Sequence, residues 1–176
     1  MAIALDTIAA ACAVCPVVVV TDDRVIAGAA HELGAAVVPE GTQRGLDAAI
    51  ATGMAVRPGG NRAALLGDLP ALRAADLRAA LTAAESVDRA VVADAEGTGS
   101  TLVTARAGLA WASSFGDGSL ARHVALGCTV LDLPGTSSLR RDADTAAHLD
   151  AAAALGLGPR TAALWHGRAG QPRPAP

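Results

Sequence analysis

The sequence predicts an α/β domain: a mostly parallel, Rossmann-like sheet with helices packed against it. Three observations carry that expectation. Short β-branched runs alternate with Ala/Leu-rich stretches of helical spacing, the pattern of successive β–α units. The run Val17–Thr21 is continuously apolar rather than alternating, which suits a strand covered on both faces. A chain of 176 residues, 52% of them apolar, suffices for one domain with a sizeable core.

Taken in order, residues 2–13 read as a helix that Pro16 ends, and Val17–Thr21 as a strand closed by Asp22 and Asp23. Residues 23–33 follow as a helix, with Asp22 as its N-cap and Gly34 as its stop. Ala35–Val38 is a short strand, residues 39–45 a polar loop, and Leu46–Val56 a helix broken by Pro58, Gly59 and Gly60. Ala63–Gly67 is the next strand and ends at Asp68. A helix over 73–84, strands at Arg89–Ala93 and Thr101–Thr104, and an irregular glycine-marked stretch over 105–118 come next. Ser119–Leu126 is a short helix, Thr129–Leu133 a strand, 144–155 a helix and 159–166 a final helical turn. One domain thus covers 1–166. The tail from Gly167, with Pro172, Pro174 and Pro176, reads as disordered.

Composition excludes several functions. Alanine fills 44 positions, and all 14 basic side chains are Arg, usage typical of a GC-rich genome. Without a Lys there is no Walker A lysine and no Schiff-base lysine. A net charge of −3, scattered arginines and 2% aromatics argue against nucleic-acid binding. No apolar run reaches the roughly 18 residues of a membrane span, and residues 1–13 lack the basic start of a signal peptide. Three cysteines, Cys12, Cys15 and Cys128, are an odd count that fits a reducing cytoplasm. Cys12 and Cys15 have redox spacing but no preceding strand, and read as packing.

In open α/β sheets ligands sit beyond the carboxyl ends of strands, and four segments there could carry chemistry. Asp68 in Gly67-Asp68-Leu69-Pro70 is either an N-cap or a ligand for a divalent cation. Asp94–Thr101 is a Gly/Thr/Ser loop between strands, able to bring its backbone close to a ligand or simply to turn a hairpin. Phe115–His123 runs a glycine loop into a helix start at Ser119, an anion site that Arg122 and His123 could reach, or a plain cap. Asp142 and Asp144 stand two residues apart and so point the same way in an extended segment. They would repel unless a cation sat between them, although Asp144 or Thr145 could instead cap the next helix. His31, His148, His166, Arg57 and Arg62 read as solvated surface.

Together these segments resemble the phosphoenolpyruvate / 2-phospho-L-lactate guanylyltransferases of deazaflavin coenzyme F-420 biosynthesis. The resemblance rests on Gly67–Leu72, Gly97–Ser100, Phe115-Gly116 with Ser119 and Ala121–His123, Arg141–Thr145, and Leu155-Gly156 with Gly158–Thr161, in that order and spacing over residues 1 to 165. It implies a nucleotide-diphospho-sugar-transferase-like fold. It implies transfer of GMP from GTP to phosphoenolpyruvate or 2-phospho-L-lactate with release of pyrophosphate, and Mg2+ as the cofactor. The composition favours phosphoenolpyruvate, the version associated with actinobacteria.

By position, Ser100, Gly116 and Ser119 match the acceptor-binding set, and Asp68 and Asp142 the catalytic metal ligands, with Asp144 beside them. Gly45 and Asp47 lie in the segment that faces the nucleotide. The resemblance also implies a cytoplasmic enzyme that uses neither nucleic acid nor membrane, with homo-oligomerisation left open.

The chain departs from the family's pattern in starting at what matches the first helix, and the first strand and its Lys/Arg loop are read as missing. Val17–Thr21 and Ala63–Gly67 would then lack a partner between them. Two alternatives follow: a truncated, non-catalytic homologue that binds an acid phosphate, or a nucleotidyltransferase of the same fold with another substrate pair, such as a cytidylyl- or molybdopterin-type enzyme.

Overall fold

A computed structural model describes residues 1–169. In chain order its elements are α1 (Ala2–Cys12), β1 (Val18–Val20), α2 (Arg24–Glu32), β2 (Ala36–Val38), α3 (Leu46–Val56), β3 (Arg62–Leu65), α4 (Ala74–Ala84), β4 (Arg89–Ala93), β5 (Ser100–Ala105), α5 (Ser119–Ala125), β6 (Thr129–Val130), a 3₁₀ turn (Ser138–Arg140), α6 (Ala146–Ala153) and α7 (Pro159–Ala169). The α/β alternation expected from the sequence is therefore observed, and β1–β2 and β4–β6 are parallel pairs.

One strand departs from the parallel expectation. β5 runs antiparallel to both neighbours in the order β3-β5-β4-β6. The connection from β4 to β5 spans only residues 94–99, and a parallel return needs a crossover of about a dozen residues or more. Since β3 and β4 both oppose β5, they are parallel to each other. The carboxyl ends of β3, β4 and β6 and the start of β5 therefore share one edge.

Among the described residues β1 pairs only with β2, and β3 only with β5, so no described strand lies between the two. A cavity of about 730 Å³ borders both, lined by Ala4, Ile8 and Ala11 of α1 and by Leu46, Ile50 and Met54 of α3.

The four-stranded sheet is covered on both faces. Val92 and Leu102 pack with Ala11, Leu69, Leu77, Ala80 and Leu139. Val91 and Val103 pack with Ala64, Phe115 and Cys128. Leu69, Val91, Leu102, Val103 and Leu139 are essentially fully buried, each contributing about 1.5–3 kcal/mol of transfer free energy. This double coverage is why the strand sequences are continuous apolar runs.

Two sequence expectations need correction. The N-cap of α2 is Asp23, whose Oδ1 accepts from Val25 N at 2.8 Å and Ile26 N at 3.1 Å. Asp22 instead accepts from Glu40 N at 3.0 Å. The last helix is also longer than one turn: α7 continues to Ala169, past the boundary expected at Gly167. Pro172, Pro174 and Pro176 lie outside the described residues.

α7 is anchored to α1 by one buried carboxylate. Asp6, 6% exposed, accepts from Arg160 N at 3.2 Å and Thr161 N at 2.8 Å. The Arg160 guanidinium lies 3.5 Å away. A helix start leaves its first N–H groups unpaired, and here a side chain from the other end of the chain supplies the acceptors. Asp6→Ala should therefore lower stability by roughly 2 kcal/mol. Urea unfolding should show an earlier midpoint at unchanged slope, and Asp6→Asn, which keeps an acceptor, should lose less.

Candidate functional site

The shared sheet edge carries the candidate residues. Asp68 follows β3, and the backbone beside it is locked in place. Thr7 Oγ1 on α1 donates to Leu69 O at 3.1 Å and accepts from Leu69 N at 3.3 Å. Gly158 N donates to Pro70 O at 2.8 Å. No helix starts at Asp68; the next one, α4, begins at Ala74 with Arg73 as its N-cap residue. The capping alternative for Asp68 is thereby removed. Its Oδ1 is buried and has no hydrogen-bond partner among the described residues. Burial, and then the nearby Asp144 charge, push its carboxyl above the ordinary range.

Asp142 reaches the same edge on a clamped segment. Asp76 of α4 accepts from Ser138 N at 2.8 Å and from Ser138 Oγ at 2.6 Å. Burial raises the Asp76 carboxyl, but the Ser138 donors and the Arg73 guanidinium outweigh it and hold the group below its ordinary value. Thr101 Oγ1 donates to Leu139 O at 2.6 Å. Arg140 donates through Nη2 to Asp94 O at 2.9 Å.

So held, the Asp142 carboxyl is pushed up to about 6, first by burial and then by Asp68, Asp94 and Asp144. Thr145 caps α6, its Oγ1 accepting from His148 N at 3.1 Å, which frees Asp144 from that role. Among the described residues no three His, Cys, Asp or Glu side chains converge closely enough to cage a metal. Mg2+ in phosphate-transfer sites needs only one or two carboxylates besides phosphate oxygens. A buried, unpartnered oxygen on Asp68 beside a repelled Asp142 fits that modest requirement.

The loop from β4 to β5 is folded on Asp94, whose two carboxylate oxygens accept from Thr98 N at 2.9 Å and Gly99 N at 2.6 Å. A Cβ at residue 99 would run into that carboxylate, so the position requires Gly. A bulge at Ala93 then shifts the register entering β5, a feature common beside active sites. Ser100 emerges only 3% exposed. Leu120 N, one residue into α5, donates to Thr98 O at 3.1 Å. That bond holds the start of α5, with Ser119, against this loop. Gly116, at φ +106°, turns the loop that leads there. Ser119 is buried.

Arg122 and His123 do not stand free beside an anion site as expected. The Arg122 donors are spent on Ser114 Oγ at 2.9 Å, Phe115 O at 3.1 Å and the Asp117 carbonyl. His123 is fully buried and faces Ser100 at 3.0 Å and Ser114 N at 2.9 Å. In the segment expected to face a nucleotide, Gly45 precedes α3 at φ +107°. Asp47 Oδ1 accepts from Ser113 Oγ at 2.7 Å and Phe115 N at 3.3 Å, so this carboxylate ties α3 to the 113–115 loop. Asp94, Asp76 and Arg140 were not singled out as site residues from the sequence. Asp94 carried a usable signal: an acid at a strand's end followed by Gly97-Thr98-Gly99.

Comparison with known proteins agrees with this picture. Residues 1–127 match the model of the MobA-like NTP transferase domain. The chain is similar to proteins named phosphoenolpyruvate guanylyltransferase in three organisms. The relative in Thermomonospora curvata is 49% identical, covering 93% of this chain and 75% of the relative. The one in Geodermatophilus obscurus is 48% identical, with coverages of 96% and 79%. The one in Streptomyces coelicolor is 48% identical, with 93% and 81%.

The raised Asp142 carboxyl yields a pH prediction. Its folded value, about 6, lies above the roughly 3.9 of an unfolded aspartate. The folded chain therefore binds the proton more tightly, and stability falls as pH rises through that interval. Asp142→Asn should stabilise the fold at pH 7.5 in divalent-free buffer by on the order of 1 kcal/mol after solvent screening, seen as a higher melting temperature. The gain should vanish below pH 4, as thermal scans at the two pH values would show.

Proposed function

The chain belongs to the MobA-like NTP transferase family and, within it, to the phosphoenolpyruvate guanylyltransferases, and from that premise we propose that it transfers GMP from GTP to phosphoenolpyruvate. Deazaflavin coenzyme F-420 biosynthesis in the cytoplasm is the setting this reading assigns to it. The single observation that carries the reading is that Asp68 and Asp142, each raised by burial and by neighbouring carboxylates, stand at the sheet edge where β5 begins with Ser100.

The acceptor's phosphate oxygen attacks the α-phosphorus of GTP. A new P–O–P linkage forms, the α–β bond breaks, and pyrophosphate leaves with its electron pair. A phosphate monoester is already ionised near neutral pH, so no side chain has to remove a proton. Positioning and electrostatics carry the catalysis. Asp68 and Asp142, with Asp144 beside them, are the residues that would hold Mg2+, which supplies positive charge between the two polyanions. Ser100, Gly116 and Ser119 bind the acid phosphate, and Gly45 and Asp47 border the nucleotide.

The direct test is pyrophosphate release. GTP with phosphoenolpyruvate and Mg2+ should give pyrophosphate, with ATP and CTP poor donors and 2-phospho-L-lactate as the acceptor to compare. Release from CTP and a sugar phosphate, but not from GTP and either three-carbon acid, would overturn the substrate assignment. Asp68→Asn should lower turnover by at least a hundredfold with no loss of melting temperature; near wild-type turnover would remove Asp68 from the site.

A further inference from the structure

His123 is the buried titratable group that the proposed chemistry leaves unused. It is fully covered, and its ring meets the Phe115 ring edge-on at a centroid distance of 4.8 Å. Both ring nitrogens have partners. Nε2 lies 2.9 Å from Ser114 N, and Nδ1 lies 3.0 Å from Ser100 Oγ.

These contacts settle the tautomer. A backbone N–H can only donate, so Nε2 is the acceptor and carries no proton. Burial lowers the imidazole's proton affinity, and the Arg122 charge adds to that against the opposing pull of Asp47, so the ring is neutral. A neutral imidazole with an unprotonated Nε2 carries its proton on Nδ1. Nδ1–H then donates to Ser100 Oγ, and the serine's own hydrogen must point elsewhere. Among the described residues nothing accepts it.

We propose that His123 is a positioning residue which fixes Ser100 as a hydrogen-bond donor toward the anionic acceptor. The inference rests on the acceptor reading of Ser100 given above. A serine hydroxyl free to rotate can greet an anion with its lone pairs or with its proton. Here the imidazole N–H occupies a lone pair, so the proton is left for the ligand. The carboxylate or phosphate of phosphoenolpyruvate accepts and never donates, so this polarity matches the substrate. The relay Ser114 N–H to His123 to Ser100 O–H starts from a backbone amide, which cannot reverse.

Two substitutions divide the relay. A Gln amide reaches the Nε2 position, so His123→Gln keeps the Ser114 bond and loses the donor to Ser100. An Asn amide reaches the Nδ1 position, so His123→Asn keeps the donor to Ser100 and loses the Ser114 acceptor. His123→Gln should raise the KM for phosphoenolpyruvate about tenfold, the scale of one lost hydrogen bond, with the KM for GTP unchanged. His123→Asn should stay within about threefold of wild type. Adding His123→Gln to Ser100→Ala should cost nothing further. Equal KM effects for Gln and Asn, or additivity with Ser100→Ala, would reduce His123 to a packing residue.

The tautomer is read separately, in the free protein, by ¹⁵N NMR of labelled histidine. A protonated Nδ1 with a bare Nε2 at pH 7 is expected. The opposite tautomer, or an imidazolium, overturns the proposal whatever the activity. The expected tautomer in a protein whose spectrum ignores phosphoenolpyruvate with Mg2+ would instead overturn the functional reading, and with it the acceptor half of this one.

Discussion

Four carboxylates lie within electrostatic reach of one another at one sheet edge, and much of the surrounding structure exists to hold them there. Asp68, Asp94, Asp142 and Asp144 are coupled by repulsion, which by itself would spread them apart. The segments that carry Asp68 and Asp142 are held in place through neighbouring residues. α1 grips the residue after Asp68 through Thr7. α4 grips Ser138 through Asp76, and Arg140 spends its guanidinium on main-chain carbonyls of β4 and its loop, not on a carboxylate. Under the proposed function, an arginine that neutralised the cluster would stabilise the fold but occupy the place of the cation that accompanies the substrates. Functional sites commonly retain such a cost, and the rest of the fold offsets it.

The loops around Ser100 are built on a different principle, by dense hydrogen bonding. Asp94 uses both oxygens on Thr98 and Gly99, Arg122 ties the 114–117 loop through the Ser114 hydroxyl and the Phe115 carbonyl, and His123 bridges Ser114 and Ser100. Satisfied buried networks of this kind rigidify a loop. Under the proposed acceptor role, that rigidity would leave little freedom to lose when a small acid binds.

The sequence revealed the α/β alternation because the strands buried on both faces are unbroken apolar runs and the helices between them are Ala/Leu-rich. It hid the direction of β5. A continuous run such as Thr101–Thr104 looks the same whichever way it pairs, and only the brevity of residues 94–99 distinguishes the two. Site residues at strand ends, Asp68 above all, were legible because position alone places them at the edge. The roles of Arg122 and His123 were not. Both sit near Ser119 in sequence, yet α5 turns the imidazole inward and lays the guanidinium along its own loop. The clamp made by Asp76, Ser138 and Arg140 spans more than sixty residues at its longest bond, and nothing local signals it.

Asp47 joins the two halves. It opens α3, the helix expected to border the nucleotide, yet its Oδ1 is engaged by Ser113 and Phe115 of the acceptor loop. Phe115 in turn packs against His123, which holds Ser100. A continuous set of contacts thus runs from the start of α3 to Ser100, through one carboxylate, one amide, one ring pair and one imidazole. Every link is a hydrogen bond or a close ring contact, so the placement of the Ser100 hydroxyl is coupled to that of α3. Under the proposed function, this set of contacts would tie the acceptor pocket to the helix that borders the nucleotide.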